Sequence, residues 1–156
     1  MAALRLTSPA FTADARLPLR HTADGDDVSP PLSWSGVPDG TRELALICDD
    51  PDADTGVVTH WVVYGLAPDV TELPEGVPDE AIVDEPVSLV QGLNEFDEVG
   101  YAGPELDADD RGTHRLFFRL FALDAELDLP AGATRMELRK AAREHIIGSA
   151  ELVTLT

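Results

Sequence analysis

Three stretches constrain the fold of this chain more than any other feature: 43–49 (ELALICD), 57–66 (VVTHWVVYGL) and 114–123 (HRLFFRLFAL). Each is nearly continuously apolar, rich in β-branched or aromatic side chains, and too short for a buried helix. Such runs read as central strands buried on both faces. Shorter extended pieces surround them. Residues 4–8 and 16–21 read as edge strands, and Ser29-Pro30-Pro31-Leu32-Ser33-Trp34 as a strand whose prolines sit at its start or on an edge. The tail AELVTLT alternates and predicts a last strand. The spacing predicts one helix over about 134–147. Thr134-Arg135-Met136-Glu137 fits a capping box, Leu138, Ala141, Ala142 and His145 share one helical face, and Gly148 is placed to close the helix in a left-handed conformation. The expectation is a mostly β single domain over 1–156.

Two connections carry little pattern. Residues 67–86 are rich in Pro, Glu and Asp, and 92–112 hold Gly92, Gly100, Gly103, Pro104 and Gly112. Irregular segments of this length inside a compact domain are commonly functional or mobile.

Charge excludes several classes of function. Thirty acidic residues face eleven basic ones, a formal net charge of −19, and Lys140 is the only lysine. With no basic stripe to displace counterions, nucleic-acid binding is not expected. No apolar run approaches the ~20 residues that cross a bilayer, so no stable membrane insertion is expected. The acids are spread along the chain, which favours solvation over a docking tail, and self-repulsion of this size is relieved by concentrated salt. The expected source is a salt-accumulating organism such as a halophilic archaeon. Cys48 is the only cysteine, so no internal disulfide forms, and its setting in LALIC reads as a small core hydrophobe. A start without a basic, apolar and small-residue leader adds to the expectation of a cytoplasmic protein.

The chemistry-bearing residues cluster at the ends of the apolar runs. Asp49-Asp50-Pro51-Asp52 follows the first, and three ionised carboxylates there need partners or protons. His60 lies inside the second run, where a buried imidazole requires a hydrogen-bond partner. His114 opens the third. Two imidazoles beside carboxylates can bind an anion when protonated, shuttle protons, or ligate a metal such as zinc or non-haem iron. On their own, an Asp-Pro-Asp also fits a plain turn and a strand histidine a satisfied core residue. Trp61 should face away from His60 into the core. Arg115 and Arg119 share a strand face with Phe117 and suit ion pairing.

The order of the pieces resembles the phosphatidylethanolamine-binding protein (PEBP) family, in its YbhB/YbcL-type, Raf kinase inhibitor-like branch. The pieces are Ser29 to Trp34 with Gly36-Val37-Pro38, Asp49-Asp50-Pro51-Asp52-Ala53, His60-Trp61-Val62-Val63-Tyr64, Gly100-Tyr101-Ala102-Gly103-Pro104, Gly112 to Leu120, and Gly132-Ala133-Thr134 through His145 to Leu152. The resemblance implies a two-sheet β fold with short peripheral helices. It also implies a pocket for phosphate, small carboxylates or a phospholipid head group. Asp50 and Asp52 match the family's Asp-Pro-Asp, His60 its first signature, and Tyr101, Gly103, Pro104 and His114 its second. His145 resembles a helical histidine of the family and equally suits a helix end. Within this resemblance, protonated histidines and loop N–H groups would meet the anion, while the aspartates would raise the histidine pKa values. Leu116 and Val58 stand where animal relatives carry tyrosine and tryptophan, and Glu105, Asp107, Asp109 and Asp110 make the following loop acidic.

The expected function is a small-anion or phosphoryl-group-binding regulator without turnover, with no cofactor or resident metal. A protein kinase and a second copy of the chain are the partners the resemblance implies. The alternative is a water-using phosphoester hydrolase with His60 or His114 as base and Asp50 as orienter.

Overall fold

The computed structural model describes residues 3–106 and 113–156. Its elements are β1 (Arg5–Thr7), a single 3-10 turn (Leu19–His21), β2 (Leu32–Ser35), β3 (Glu43–Asp50), β4 (Val58–Leu66), β5 (Glu72–Leu73), β6 (Ile82–Val83), β7 (Leu89–Gln91), β8 (Arg115–Leu123), α1 (Arg135–Ala142) and β9 (Ile146–Leu155). They form a three-stranded sheet, β1-β2-β5, and a six-stranded sheet, β6-β7-β4-β3-β8-β9. All named strand pairs are antiparallel.

Apolar patterning explains why the sheets pack. Leu6, Leu32, Trp34 and Leu73 of the small sheet share one core with Leu44, Leu46, Cys48, Trp61, Val63, Phe118 and Leu120 of the large one. On the other face, Ala45, Ile47, Val62 and Tyr64 pack with Leu138 and Ala142 of α1. β3 is therefore buried at every residue, as its unbroken apolar run requires. β4 is nearly so. β8 is not. Leu116, Phe118, Leu120 and Ala122 are buried, but Phe117, Arg119 and Phe121 are half-buried. The helix reaches only part of this strand's outer face. Truncating a fully buried aromatic such as Phe118 to alanine should cost about 3–5 kcal/mol.

Three local expectations are corrected. Residues 16–21 are not a strand: Arg16 makes one parallel bridge to Leu155, and Leu19–His21 turn, with Thr22 N–H donating to Leu19 O. The connection 67–86 is patterned after all, since it carries β5 and β6. The capping box is present, with Glu137 N–H donating to Thr134 Oγ1 at 3.2 Å and Thr134 N–H to Glu137 Oε1 at 2.9 Å. The helix nevertheless stops at Ala142, and Gly148 lies within β9, opposite Ala122. A side chain at Gly148 would press on Pro38, 2.8 Å from the Cβ position. Close approach to Pro38, not a helix cap, is what glycine provides there. Pairing of β9 with β8 claims 146 and 147, which the expected helix included, and Gly148, expected to close it.

Candidate functional site

Antiparallel order brings the site together. β3 lies between β4 and β8, so its C-terminal end is beside the starts of both neighbours. Asp50 closes β3, His60 lies near the start of β4, and His114 immediately precedes β8. The register adds a second device. Cys48 pairs with Trp61 and Asp49 with Thr59, so β4 carries one extra residue, His60, in a β-bulge. A bulge breaks alternation and re-aims a side chain. Thr59 then sits opposite Asp49 and Val58 opposite Asp50, and His60 lines the same cavity as Asp50 and Val58. Trp61 is in the core as expected, its indole N–H donating to Gln91 Oε1 at 2.7 Å.

The cavity has a volume of about 310 Å³. Its polar wall includes Asp50, His60, Glu95, Glu105 and His114, with Gly103 and Pro104 between them; Val58, Phe96 and Leu106 supply apolar surface. The three acidic residues of the Asp-Pro-Asp segment have different partners. Asp49 is buried among guanidinium groups, 3.1 Å from Arg119 and 3.4 Å from Arg135. Asp50 Oδ2 accepts from Nδ1 of His114 at 2.6 Å, and Oδ1 from Asp52 N–H at 2.8 Å. Asp52 grips Arg115, accepting from its backbone N–H at 2.8 Å, Nε at 3.0 Å and Nη2 at 2.8 Å. The Arg115 guanidinium and N–H hold the Asp52 carboxyl down at about 2. Asp52 is thus a clip that fixes the residue next to His114, rather than part of the cavity wall. Phe117 lies between the two arginines, 5.3 Å from the Arg115 guanidinium carbon and 4.3 Å from that of Arg119, and Arg119 also pairs with Glu151.

Fixed acceptors set the histidine tautomers. Nδ1–H of His60 donates to Ala102 O at 2.7 Å, which leaves Nε2 as the ring nitrogen without a protein partner among the described residues. Burial pushes the His60 pKa below its ordinary value, against the smaller upward pulls of the Ala102 carbonyl, Asp50, Asp49 and Glu95. The expected rise is therefore reversed at His60, because desolvation outweighs the neighbouring carboxylates.

Three of the described loop N–H groups expected to meet an anion are already engaged. Gly103 N–H donates to Asp27 Oδ1 at 2.6 Å, Ala102 N–H to His60 O at 2.9 Å, and Leu106 N–H to Asp24 Oδ2 at 2.8 Å. Tyr101 does not line the cavity. Its ring is buried edge-on to Trp61 and its hydroxyl donates to His21 O at 2.6 Å. It supports the 101–106 loop from beneath. His145 lies past the end of α1, its Nδ1 2.9 Å from Asp124 Oδ1, and is not part of the cavity. Asp107, Asp109, Asp110 and Gly112 lie outside the described residues. Among the described residues no group of three His, Cys, Asp or Glu side chains is arranged for a metal ion, and no helix is long and apolar enough to cross a membrane.

Sequence reasoning missed Glu95, Phe96 and the supporting Asp24, Asp27 and His21. Only Asp27 left a trace, in the Gly-Asp-Asp turn where it takes a positive φ of 56°. Asp24, Glu95 and Phe96 lie in irregular segments with no periodicity to place them, and His21 lies in the stretch 16–21 that reads as a strand but turns at Leu19–His21.

Comparison with known proteins agrees with this architecture. The family model for phosphatidylethanolamine-binding protein matches residues 7–156. A UPF0098 protein of Methanothermobacter thermautotrophicus is 47% identical over 152 residues, covering 97% of both chains. One from Pyrococcus horikoshii is 42% identical over 148 residues, 95% of this chain and 74% of the relative. Among solved structures, a PEBP homolog from Chlamydia trachomatis superposes with a TM-score of 0.87 at 37% identity, over 100% of this chain and 98% of that one. YbcL of E. coli, described as a member of the mammalian PEBP family, gives 0.88 at 28% identity over 99% and 98%. With nearly its whole length matched in sequence and in fold, the chain belongs to the phosphatidylethanolamine-binding protein family.

Proposed function

We propose that the cavity at the end of β3 binds a small anion, with a phosphoryl group as the preferred form, and releases it unchanged. One observation carries this reading: two imidazoles, each with Nδ1 tied to a fixed acceptor, line one cavity together with Asp50. Among the described lining residues, His60 and His114 are the only side chains able to carry positive charge. Asp50, Glu95 and Glu105 oppose a bare anion. Binding therefore requires a proton, either on an imidazole or on the phosphoryl oxygen itself. A phosphate monoanion satisfies both demands, because its hydroxyl donates to a neutral Nε2 and its remaining oxygens accept from a protonated ring. A phosphoserine side chain presents the same group, so a phosphorylated segment of a partner, including a protein kinase, fits the same site.

The reading of binding without turnover is supported by the composition of the wall. Cys48 is buried in the core and does not reach the cavity. Among the described lining residues there is no serine or cysteine, and the hydroxyls are those of Thr55 and Thr156.

The test is a titration with inorganic phosphate and with O-phosphoserine at pH 6, following the histidine ring resonances. Saturable shifts at His60 and His114, lost in His60→Ala, are expected. Unmoved resonances at both rings would overturn the assignment, and release of phosphate from O-phosphoserine would replace a binding role with a hydrolytic one.

A further inference from the structure

A second concavity, of about 590 Å³, runs along α1. Its floor is apolar, formed by Ala45, Ile47, Phe121, Leu138, Ala142 and Ile146, and Arg135, Arg139, Lys140 and Arg143 surround it. The charge is anomalous for this chain. Acids outnumber bases thirty to eleven overall, yet 135–143 holds four bases and one acid, and that acid, Glu137, is committed to the capping box.

Three of these four cations have no internal ion pair among the described residues. Arg139, Lys140 and Arg143 form no ion pair with any described residue. Arg135 faces Asp49 at 3.4 Å, but its buried Nε makes no hydrogen bond. Arg135, Arg139 and Arg143 are spaced four apart on the helix, where like charges repel. Arg139 is held by the Phe121 ring at 5.9 Å, and burial together with Arg135 and Arg119 lowers its pKa. The helix dipole accounts for cations in the last turn. It does not account for Arg135 in the first turn, where positive charge is unfavourable, or for the apolar floor beneath the cluster.

We propose that this groove binds an amphipathic organic anion. The apolar body lies against Phe121, Ile47 and Ile146, and a carboxylate, sulfonate or phosphate head meets Arg135, Arg139 and Lys140. The volume suits a single small molecule. Charge also selects the size of the ligand. A net charge of −19 repels nucleic acid or an anionic membrane over their whole extent, whereas a small anion senses mainly the local positive cluster within a Debye length.

The experiment compares octanesulfonate with octyl glucoside, both below micelle formation, against the intact chain by amide NMR. The two share an apolar tail and differ in head-group charge. Saturable shifts at Phe121, Arg139 and Ile146 are expected with octanesulfonate, at least tenfold weaker with octyl glucoside. The double variant R139Q/K140Q should weaken octanesulfonate binding about tenfold with an unchanged near-UV spectrum, and His60→Ala should leave it intact. Equal binding of the neutral detergent, absence of shifts, or shifts confined to the His60 cavity would overturn the proposal. So would movement of the same resonances with protein concentration alone, which would assign the groove to a second copy of the chain.

Discussion

The two concavities of this molecule use opposite kinds of charge. The cavity at the end of β3 is walled by Asp50, Glu95 and Glu105, and its positive charge depends on whether His60 and His114 hold protons. The groove along α1 is surrounded by three arginines and the only lysine, whose charge is fixed at every physiological pH. The first is built across strands, where each imidazole has a fixed acceptor at 2.6–2.7 Å. The second sits on one short helix and has almost no internal partners. An anion in the first is held by protons and geometry, and in the second by fixed charge and apolar contact. The two sites should therefore separate cleanly by mutation, by pH and by salt.

The largest separation should come from Asp50→Ala. Removing the acceptor of the 2.6 Å bond frees the His114 ring and deletes the turn bond to Asp52 N–H. Loss of a charge-assisted bond of this kind costs about 2–3 kcal/mol. Phosphate binding should fall at least about thirtyfold by calorimetry, while octanesulfonate binding in the groove stays constant. A parallel loss at both sites would show that they are one system.

Acidification gives the next contrast. His60 is held below the ordinary imidazole value of about 6.5, so the folded chain prefers its neutral form. Its contribution to stability is complete above that value and is lost as pH falls through the folded pKa. Phosphate affinity should rise about tenfold between pH 7.5 and 5.5, while His60-dependent stability declines over the same descent. His60→Gln should flatten the binding profile. Groove binding of a sulfonate should not change across this interval, and a slope there would contradict the fixed-charge description.

Salt should act in the opposite direction on the fold and the groove. We propose that the excess of acids is an adaptation to a saline interior. Raising KCl from 0.15 to 1 M shortens the Debye length from about 8 to about 3 Å. The thermal midpoint should rise over this range as self-repulsion is screened, and octanesulfonate affinity should drop several-fold. A midpoint indifferent to KCl would remove the proposed adaptation.

The smallest effect is expected at the clip between the β3–β4 turn and β8. In the Asp52–Arg115 pair the guanidinium is exposed and the carboxylate half-buried, so Asp52→Asn should cost less than about 1 kcal/mol at pH 7. Because the Asp52 carboxyl is depressed to about 2, its contribution is present above about 3.9 and lost as pH falls toward 2. Thermal melts at pH 7 and pH 2 should differ less in the variant than in the parent.

Much of the frame is legible in the chain itself. The runs at 43–49 and 57–66 are buried on both faces because a second sheet covers one side and α1 the other. The capping box at Thr134 and Glu137 forms as written, since it needs only neighbours three residues apart. Errors arose where long-range pairing overrode local preference. Residues 146–148 continue the helical pattern but join β9, and 16–21 look extended but turn at Leu19–His21.

For the site, the family resemblance singled out Asp50, His60 and His114, the structure brings the three to one cavity, and their roles remain the proposal stated above. Tyr101, Asp52 and His145 show the boundary of that inference. All three stand in recognisable motifs, yet one supports the loop from the core, one clips a turn, and one sits beyond the helix. A motif fixes position along the chain and leaves side-chain direction open.

What the sequence by itself determined was the set of central strands, the capped start of the helix and the acidic surface, because each depends on composition or on residues close in the chain. The tertiary structure alone decided the meeting of Asp50, His60 and His114 and the direction of His60. That meeting depends on β3 lying between antiparallel β4 and β8, and that direction on the bulge at His60 in β4. Strand order and register are properties of the packed sheet, set when all strands compete for the same core, so no local stretch of sequence contains them.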